Sequence, residues 1–167
     1  MERFPESGEL RLLYGTALLV SQPKAALAET AKATEIDPSD PILLTRAARL
    51  MYGMEQFEVA RSYTKRAKEL APEKFIFGPE LLNLESNFAA LDGKDTLAEE
   101  GLRLAVEREP KMELLALDLA KFLVDRGRQE EALEVINEAL GRTKETKYLK
   151  RLRSKILSES GSKPDAP

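Results

Sequence analysis

Hydrophobic residues recur along the chain at the spacing of amphipathic helices, and no stretch alternates in the manner of a strand. Eight apolar stretches fall into four pairs. The first members of the pairs cover residues 10–20, 43–51, 81–91 and 114–124. The second members cover residues 26–36, 59–70, 97–106 and 132–140. A ninth stretch places Leu149, Leu152 and Ile156 on one stripe, so the pattern predicts an all-α chain of helix pairs with a terminal helix.

Two series of alanines mark an internal repeat within the second helices. The first series is Ala26, Ala60, Ala98 and Ala132, with separations of 34, 38 and 34 residues. The second series lies seven residues later and has the same separations. Alanine at i and i+7 lies on one stripe of a helix and allows a neighbouring helix to approach closely. We therefore expect these alanines to be buried, and a leucine at Ala60 or Ala132 to overpack the helix pair.

Glycine and proline suggest where the helices begin and end. Gly53, Gly93 and Gly127 suit the left-handed residue that follows a first helix, and Pro41 and Pro79 suit the first position of a helix. Each of the first three repeats ends in proline, at Pro38, Pro72 and Pro110, and the fourth equivalent position is Lys144.

The second and fourth repeats carry a family resemblance. The second repeat supplies Leu44, Ala47, Ala48, Met51, Phe57, Ala60, Ala67 and Pro72. The fourth repeat supplies Leu119, Ala120, Leu123, Gly127, Ala132, Ile136 and Ala139. A 34-residue helix-turn-helix unit with this pattern resembles the tetratricopeptide repeat (TPR), and the match spans about residues 7–144. The first repeat departs from the family pattern, because its small residue, Gly15, comes one place late.

The resemblance implies a right-handed α-solenoid of antiparallel helix pairs, whose first helices line a concave groove that binds peptides or protein segments. We expect one domain over residues 1–160, closed by a capping helix over 144–158 and followed by a disordered tail over 161–167. The predicted repeats cover about 7–40, 41–74, 79–112 and 113–143.

Placing the first helices on the family pattern gives a candidate peptide-binding set. Its members are Thr45, Arg46, Arg49, Tyr52, Asn83, Asn87, Leu117 and Lys121, with Leu91 and Val124 beside them. Asn83 and Asn87 stand one helical turn apart, where their amides can bond an extended peptide backbone. The cations among the set favour an acidic or carboxylate-terminated ligand. The alternative interpretation is a solvated helix face that binds nothing.

Family members that clamp the terminal carboxylate of chaperones use cations in the third repeat. The corresponding positions here are Glu80 and Leu84. A carboxylate clamp of that kind is therefore not expected. Compact chaperones of bacterial secretion systems share the fold and about this length, but no residue here is diagnostic of them.

Three further segments offer alternative interaction surfaces. The extra residues of the third repeat fall around Phe75, Ile76 and Phe77, which either pack on neighbouring helices or dock a partner. The first helix is apolar on more than one face, which suggests a longer repeat array, a symmetric pair or a bound partner. The last helix is basic around its apolar stripe and either closes the array or contacts an anionic surface.

Composition removes most catalytic chemistry. The 167 residues contain neither cysteine nor histidine, which excludes thiolate nucleophiles, Cys/His zinc sites and Ser-His mechanisms. No phosphate-binding loop, calcium loop or nucleophile elbow occurs. We expect no enzyme activity, no cofactor and no metal. A net charge of −3 argues against a nucleic-acid partner, and no stretch is long enough to cross a membrane. The expected partner is a protein or peptide, with self-association as an alternative, in the cytoplasm unless the chain is part of a longer exported protein.

Overall fold

The structure, a computed structural model, describes residues 7–142 and 146–160, and within those ranges its regular secondary structure is all α-helix, without a strand. The helices of the described ranges are α1 (Gly8–Leu18), α2 (Pro23–Ile36), α3 (Pro41–Gly53), α4 (Phe57–Leu70), α5 (Gly78–Leu91), α6 (Asp95–Arg108), α7 (Glu113–Asp125), α8 (Gln129–Arg142) and α9 (Lys147–Ser160). Each of the eight predicted paired helices is present, with ends within three residues of the predicted ones. The predicted all-α fold of helix pairs is confirmed.

The chain divides into two compact units, residues 1–84 and 85–167, and the division falls inside α5. In the first unit, α1 packs against α2, α3 packs against α4, and both α1 and α2 touch α3. In the second unit, α7 packs against α8 and touches α6, and α9 lies on α7 and α8. The single domain over residues 1–160 stays a prediction.

Capping side chains and prolines fix several of the helix starts. The Asp40 carboxylate accepts hydrogen bonds from the backbone N–H groups of Ile42 and Leu43, and Pro41 occupies the first position of α3, where its missing N–H costs nothing. Pro79 is the second residue of α5 rather than the first. Pro38, Pro72 and Pro110 each lie two residues beyond the end of a second helix, as predicted.

The left-handed residue after α3 is Glu55, not Gly53, so that prediction was wrong. Gly93 and Gly127 have φ values of 73° and 74°, as predicted, and Glu55 has a φ of 61°. In all three turns the next residue donates its N–H to a carbonyl five positions back, for example Gln56 to Met51 at 2.9 Å and Lys94 to Ala89 at 2.9 Å. Glu55 also keeps the repeat spacing, because it lies 38 residues before Gly93, which lies 34 residues before Gly127. Gly53, in contrast, lies in the last turn of α3.

This geometry predicts opposite effects for two glycine-to-alanine substitutions. Gly53→Ala should raise the free energy of unfolding by about 0.5 kcal/mol, since alanine favours helix and no atom lies within 4 Å of the added Cβ. Gly93→Ala should lower it by about 1–2 kcal/mol, because an L-residue is strained at positive φ. Urea denaturation followed by circular dichroism measures both. The reverse pair of signs would place the left-handed residue at Gly53 after all.

The repeated alanines form the close contacts that their spacing predicts. Seven of the eight have no exposed surface and Ala139 is 5% exposed. In the first unit the close approach is made from both sides: a Cβ built on Gly8 would lie 2.7 Å from the Ala33 carbonyl oxygen, and one on Gly15 would lie 3.2 Å from the Ala26 carbonyl oxygen. Gly15 thus occupies the small-residue position of the first repeat despite its shifted place in the sequence.

The last helix begins at Lys147 and extends to Ser160, slightly later than the predicted 144–158. Leu149 and Ile156 are buried in the main cluster of the second unit, with Leu152 packed against it. Lys144 and the predicted tail, 161–167, lie outside the described residues. None of the described helices is both long and apolar enough to cross a bilayer.

Candidate peptide-binding site

The α3 members of the predicted set differ widely in exposure. Thr45 is buried, and its hydroxyl donates to the Pro41 carbonyl oxygen at 2.6 Å, a hydrogen bond within α3 itself. Arg46 is exposed. Its guanidinium donates to Glu9 at 3.3 Å and stands 5.3 Å from the centroid of the Phe77 ring. Arg46 is therefore positioned by a carboxylate on one side and an aromatic face on the other.

Arg49 and Tyr52 are half-buried on the next turns of α3. The Arg49 guanidinium donates to the side-chain oxygen of Asn83, on α5. Tyr52 packs edge-to-face against Phe57, with 5.3 Å between ring centroids. Asn83 has no exposed surface, contrary to the accessible amide expected from the sequence. In this structure its amide oxygen orients Arg49.

The predicted members in the second unit gather around Asp118. Asn87 donates to the Asp118 carboxylate at 3.3 Å, and the Lys121 ammonium lies 3.9 Å from the same group. Asn87 is 8% exposed and Leu117 is 7% exposed, so neither offers much surface to solvent. Lys121 remains accessible. The prediction that Asn83 and Asn87 lie on an exposed face was therefore wrong. A first helix is covered by neighbouring helices along two sides, and helical spacing alone does not show which residues are covered.

The inserted segment around Phe75 packs on neighbouring helices, which is one of the two interpretations that the sequence left open; partner docking stays a prediction. Phe75 packs against a cluster of Leu44, Ala67 and Leu81, and its ring lies 5.9 Å from that of Phe77. Phe77 is held under Arg46, as described above. Ile76, between the two anchored rings, keeps 76% of its surface exposed. The loop is thus packed through its aromatic residues and presents one aliphatic side chain to solvent.

Ile76 and the first helix meet at one open groove, called here the α1–α3 groove, of about 700 Å³. Its lining residues are Glu9, Leu12, Leu13, Thr16, Asp40, Ile42, Leu43, Arg46, Ile76 and Phe77. Leu13 is 57% exposed there, and Leu10, Tyr14 and Val20 of the same segment are also exposed. The apolar first helix and the inserted loop, which the sequence presents as separate surfaces, therefore line one groove.

Sequence reasoning missed four of the residues that line this groove. Glu9, Asp40, Ile42 and Leu43 were not among the candidates. Asp40 had a signal, because an aspartate immediately before a proline is typical of a helix start and would have placed it at the beginning of α3. No sequence signal marked Glu9 or Ile42 as groove residues, because the groove forms between helices that are separated in the sequence.

The carboxyl groups whose pKa is lowered are not among the residues that line this groove. A hydrogen bond from Arg128 is the main cause that lowers the pKa of Glu99 and of Glu131, and one from Arg126 lowers the pKa of Asp95. In the first unit, a hydrogen bond from Lys32 lowers the pKa of Glu29. These groups are ion-paired surface carboxylates rather than acids or bases prepared for catalysis. Within residues 7–142 and 146–160, no group of three acidic residues is placed to hold a metal ion.

Comparisons with known proteins show which solved structures have a similar fold. No protein-family profile matches the sequence, and no curated protein sequence matches it significantly. Among solved structures, PilF of Pseudomonas aeruginosa has a TM-score of 0.60 at 15% identity, over 94% of this chain and 72% of that one. TTC0263, a thermophilic TPR protein of Thermus thermophilus, has a TM-score of 0.57 at 20% identity, over 91% of this chain and 100% of that one.

A third solved structure, MamA, has a TM-score of 0.55 at 15% identity, over 83% of this chain and 79% of that one. At these identities the likeness concerns the fold. It agrees with the paired helices described above. The chain is therefore a TPR-like repeat protein.

Proposed function

We propose that this chain is a non-catalytic protein-interaction scaffold that binds a peptide segment beside α3, with Arg46 and Arg49 as its charged contacts. Repeat folds of this kind build extended binding surfaces from successive units. The observation that carries the proposal is the Arg46 guanidinium, which lines the open α1–α3 groove and is held there by Glu9 and Phe77. Arg49 lies one turn further along α3 and is bonded to Asn83. Of the other predicted members in the first unit, Tyr52 is partly accessible, and Thr45 and Asn83 are buried. In the second unit, Lys121 is exposed, and Asn87 and Leu117 are buried.

The ligand that suits this arrangement is a peptide with a carboxylate next to an aliphatic side chain. The Arg46–Glu9 pair is exposed on both sides, at 47% and 67%, and exposed ion pairs contribute little to stability. A peptide carboxylate can therefore replace Glu9 at small cost and bond the guanidinium. An aliphatic side chain beside it would cover Leu13 and Ile76, which are already exposed.

A peptide selection against the full chain tests this proposal, followed by affinity measurement by fluorescence polarisation. Selected peptides should contain Asp or Glu, and Arg46→Ala should weaken them about tenfold, the usual effect of losing a charge-assisted hydrogen bond. Arg108→Ala, an exposed arginine on α6, is the control and should leave binding unchanged. Peptides that lack carboxylates, or that bind Arg46→Ala with undiminished affinity, would refute the acidic-ligand assignment.

A second candidate function is self-association through the α1–α3 groove. It is favoured by the exposure of Leu10, Leu13, Tyr14 and Ile76, since contiguous exposed apolar surface marks interaction sites. Such an interface would be apolar and therefore insensitive to salt. It would be lost in a variant that combines Leu13→Ser with Ile76→Ser.

A further inference from the structure

One side of α9 combines an exposed tyrosine with basic residues. Because Leu149 and Ile156 are buried, the opposite side of the helix faces solvent. Tyr148 is 56% exposed, and the Lys147 ammonium stands 5.8 Å from its ring centroid. The exposed cations of α9 are Lys147, Lys150, Arg151, Arg153 and Lys155. Arg151 and Lys155 follow Tyr148 by three and seven residues and therefore lie on the same side of the helix. Lys155 meets Glu159 at 3.8 Å, whereas Lys150, Arg151 and Arg153 form no ion pair with any residue in the described ranges.

A groove of about 380 Å³ between α6 and α8, called here the α6–α8 groove, has the opposite character. Its apolar part is formed by Val106, Pro110, Leu119, Val135 and Ala139. Its charged residues are four glutamates and two arginines, so the rim is negative on balance. Arg103 bonds Glu131, and Arg142 lies 3.5 Å from Glu138. Across the described part of the chain, Glu107 and Glu134 make no ion pair.

We propose that the outer face of α9 in one copy of this chain docks into the α6–α8 groove of a second copy. Tyr148 would cover the apolar strip around Val106 and Val135, and the cations one and two turns further along the same side of α9, Arg151 and Lys155, would meet Glu107 and Glu134. Tyrosine is well suited to this role because it buries a large apolar area with a polar tip.

The position of α9 explains why the partner is another copy. In its own chain, α9 is fixed on α7 and α8 through its apolar stripe, so its cations point away from the core they cover. The groove with the complementary charge lies between other helices of the same unit. The two surfaces are different, so the contact is heterologous and each copy offers both halves. Such a contact adds copies head to tail, into an open chain or a closed ring.

Electrostatic contacts of this type are weakened by salt, because exposed charges are screened within a Debye length. The assembly should therefore form at low ionic strength and dissociate at high ionic strength. Salt dependence separates it from an apolar contact through the α1–α3 groove, which salt would not weaken.

Sedimentation velocity of the full chain over a range of concentrations, at about 0.01 M and about 0.5 M salt, tests the proposal. We expect mass to rise with concentration only at low salt. Arg151→Glu with Lys155→Glu should weaken association about tenfold or more, since like charges then face each other. Glu107→Lys with Glu134→Lys should do the same. Mixing these two variants, or combining all four changes in one chain, should restore association.

Lys24→Glu with Lys65→Glu makes the same change of net charge on the first unit and is the matched control. It should associate as the parent does, and circular dichroism should show all variants folded. A monomer at every concentration and salt, or equal loss in the control, would overturn the proposal. Association that resists charge reversal but is abolished by Leu13→Ser with Ile76→Ser would overturn it as well, in favour of the apolar groove.

Discussion

Replacing Leu123 by alanine is expected to lower the free energy of unfolding by about 2–5 kcal/mol, the largest effect foreseen for any single change here. Leu123, on α7, has no exposed surface and belongs to the same buried cluster as Ile136 and Leu149. Removing three carbons there gives up their transfer free energy and leaves a cavity that close-packed neighbours fill only in part. For a chain of this size the midpoint Tm should fall by roughly 5–15 °C.

The matched control is Leu97→Ala, the same substitution on α6 at a leucine that is 59% exposed. Surface changes away from special features usually stay within about 0.5 kcal/mol. Thermal unfolding followed at 222 nm by circular dichroism compares the two. If both variants melted with the parent, Leu123 would not lie in a packed core and the arrangement of α7 within the second unit would be wrong.

Adding volume to the same cluster is expected to be the next most damaging change. Ala132→Leu should cost about 1–3 kcal/mol, because the extra carbons must enter a helix contact that only a small side chain fits. Ala132 has no exposed surface and lies in the cluster with Ala120 and Leu123. The physical reason is the opposite of that for Leu123→Ala, since here the helices must move apart or the leucine must adopt a strained rotamer.

Ala28→Leu, at an exposed position of α2, separates overpacking from any change in helix propensity. Alanine and leucine have similar helix propensities, so this control should unfold with the parent. Chemical denaturation gives the free energies directly. An Ala132→Leu variant as stable as its control would mean that the repeated alanines are not close-contact positions.

The repeat register was readable from the sequence because close helix packing restricts side-chain size. In each helix pair, the second helix needs small residues at two positions seven apart, and a larger side chain than alanine would not fit there. The same register assigns Glu55 to the place of Gly93 and Gly127, so the correct turn residue could have been found by spacing. Choosing Gly53 by residue type failed because glycine preference at a helix end is strong but not obligatory.

The candidate binding residues were predicted less well. Helical spacing correctly places Arg46 and Arg49 one turn apart on α3, and both side chains are at least partly accessible. It does not show that Asn83 is buried or that its amide oxygen bonds Arg49. Burial depends on which helices cover a face, and the pattern of one helix contains no information about the lateral fit of its neighbours.

By itself, the sequence determined the helices, their pairing into repeats, the close-contact alanines and two of the three left-handed turns, because each depends on local spacing and side-chain size. Only the tertiary structure decided that Ile76 and Leu13 line one groove, that Phe75 and Phe77 anchor the inserted loop, and that Asn83 is buried. These features arise from contacts between residues far apart in the chain, whose geometry is set by how whole helices pack.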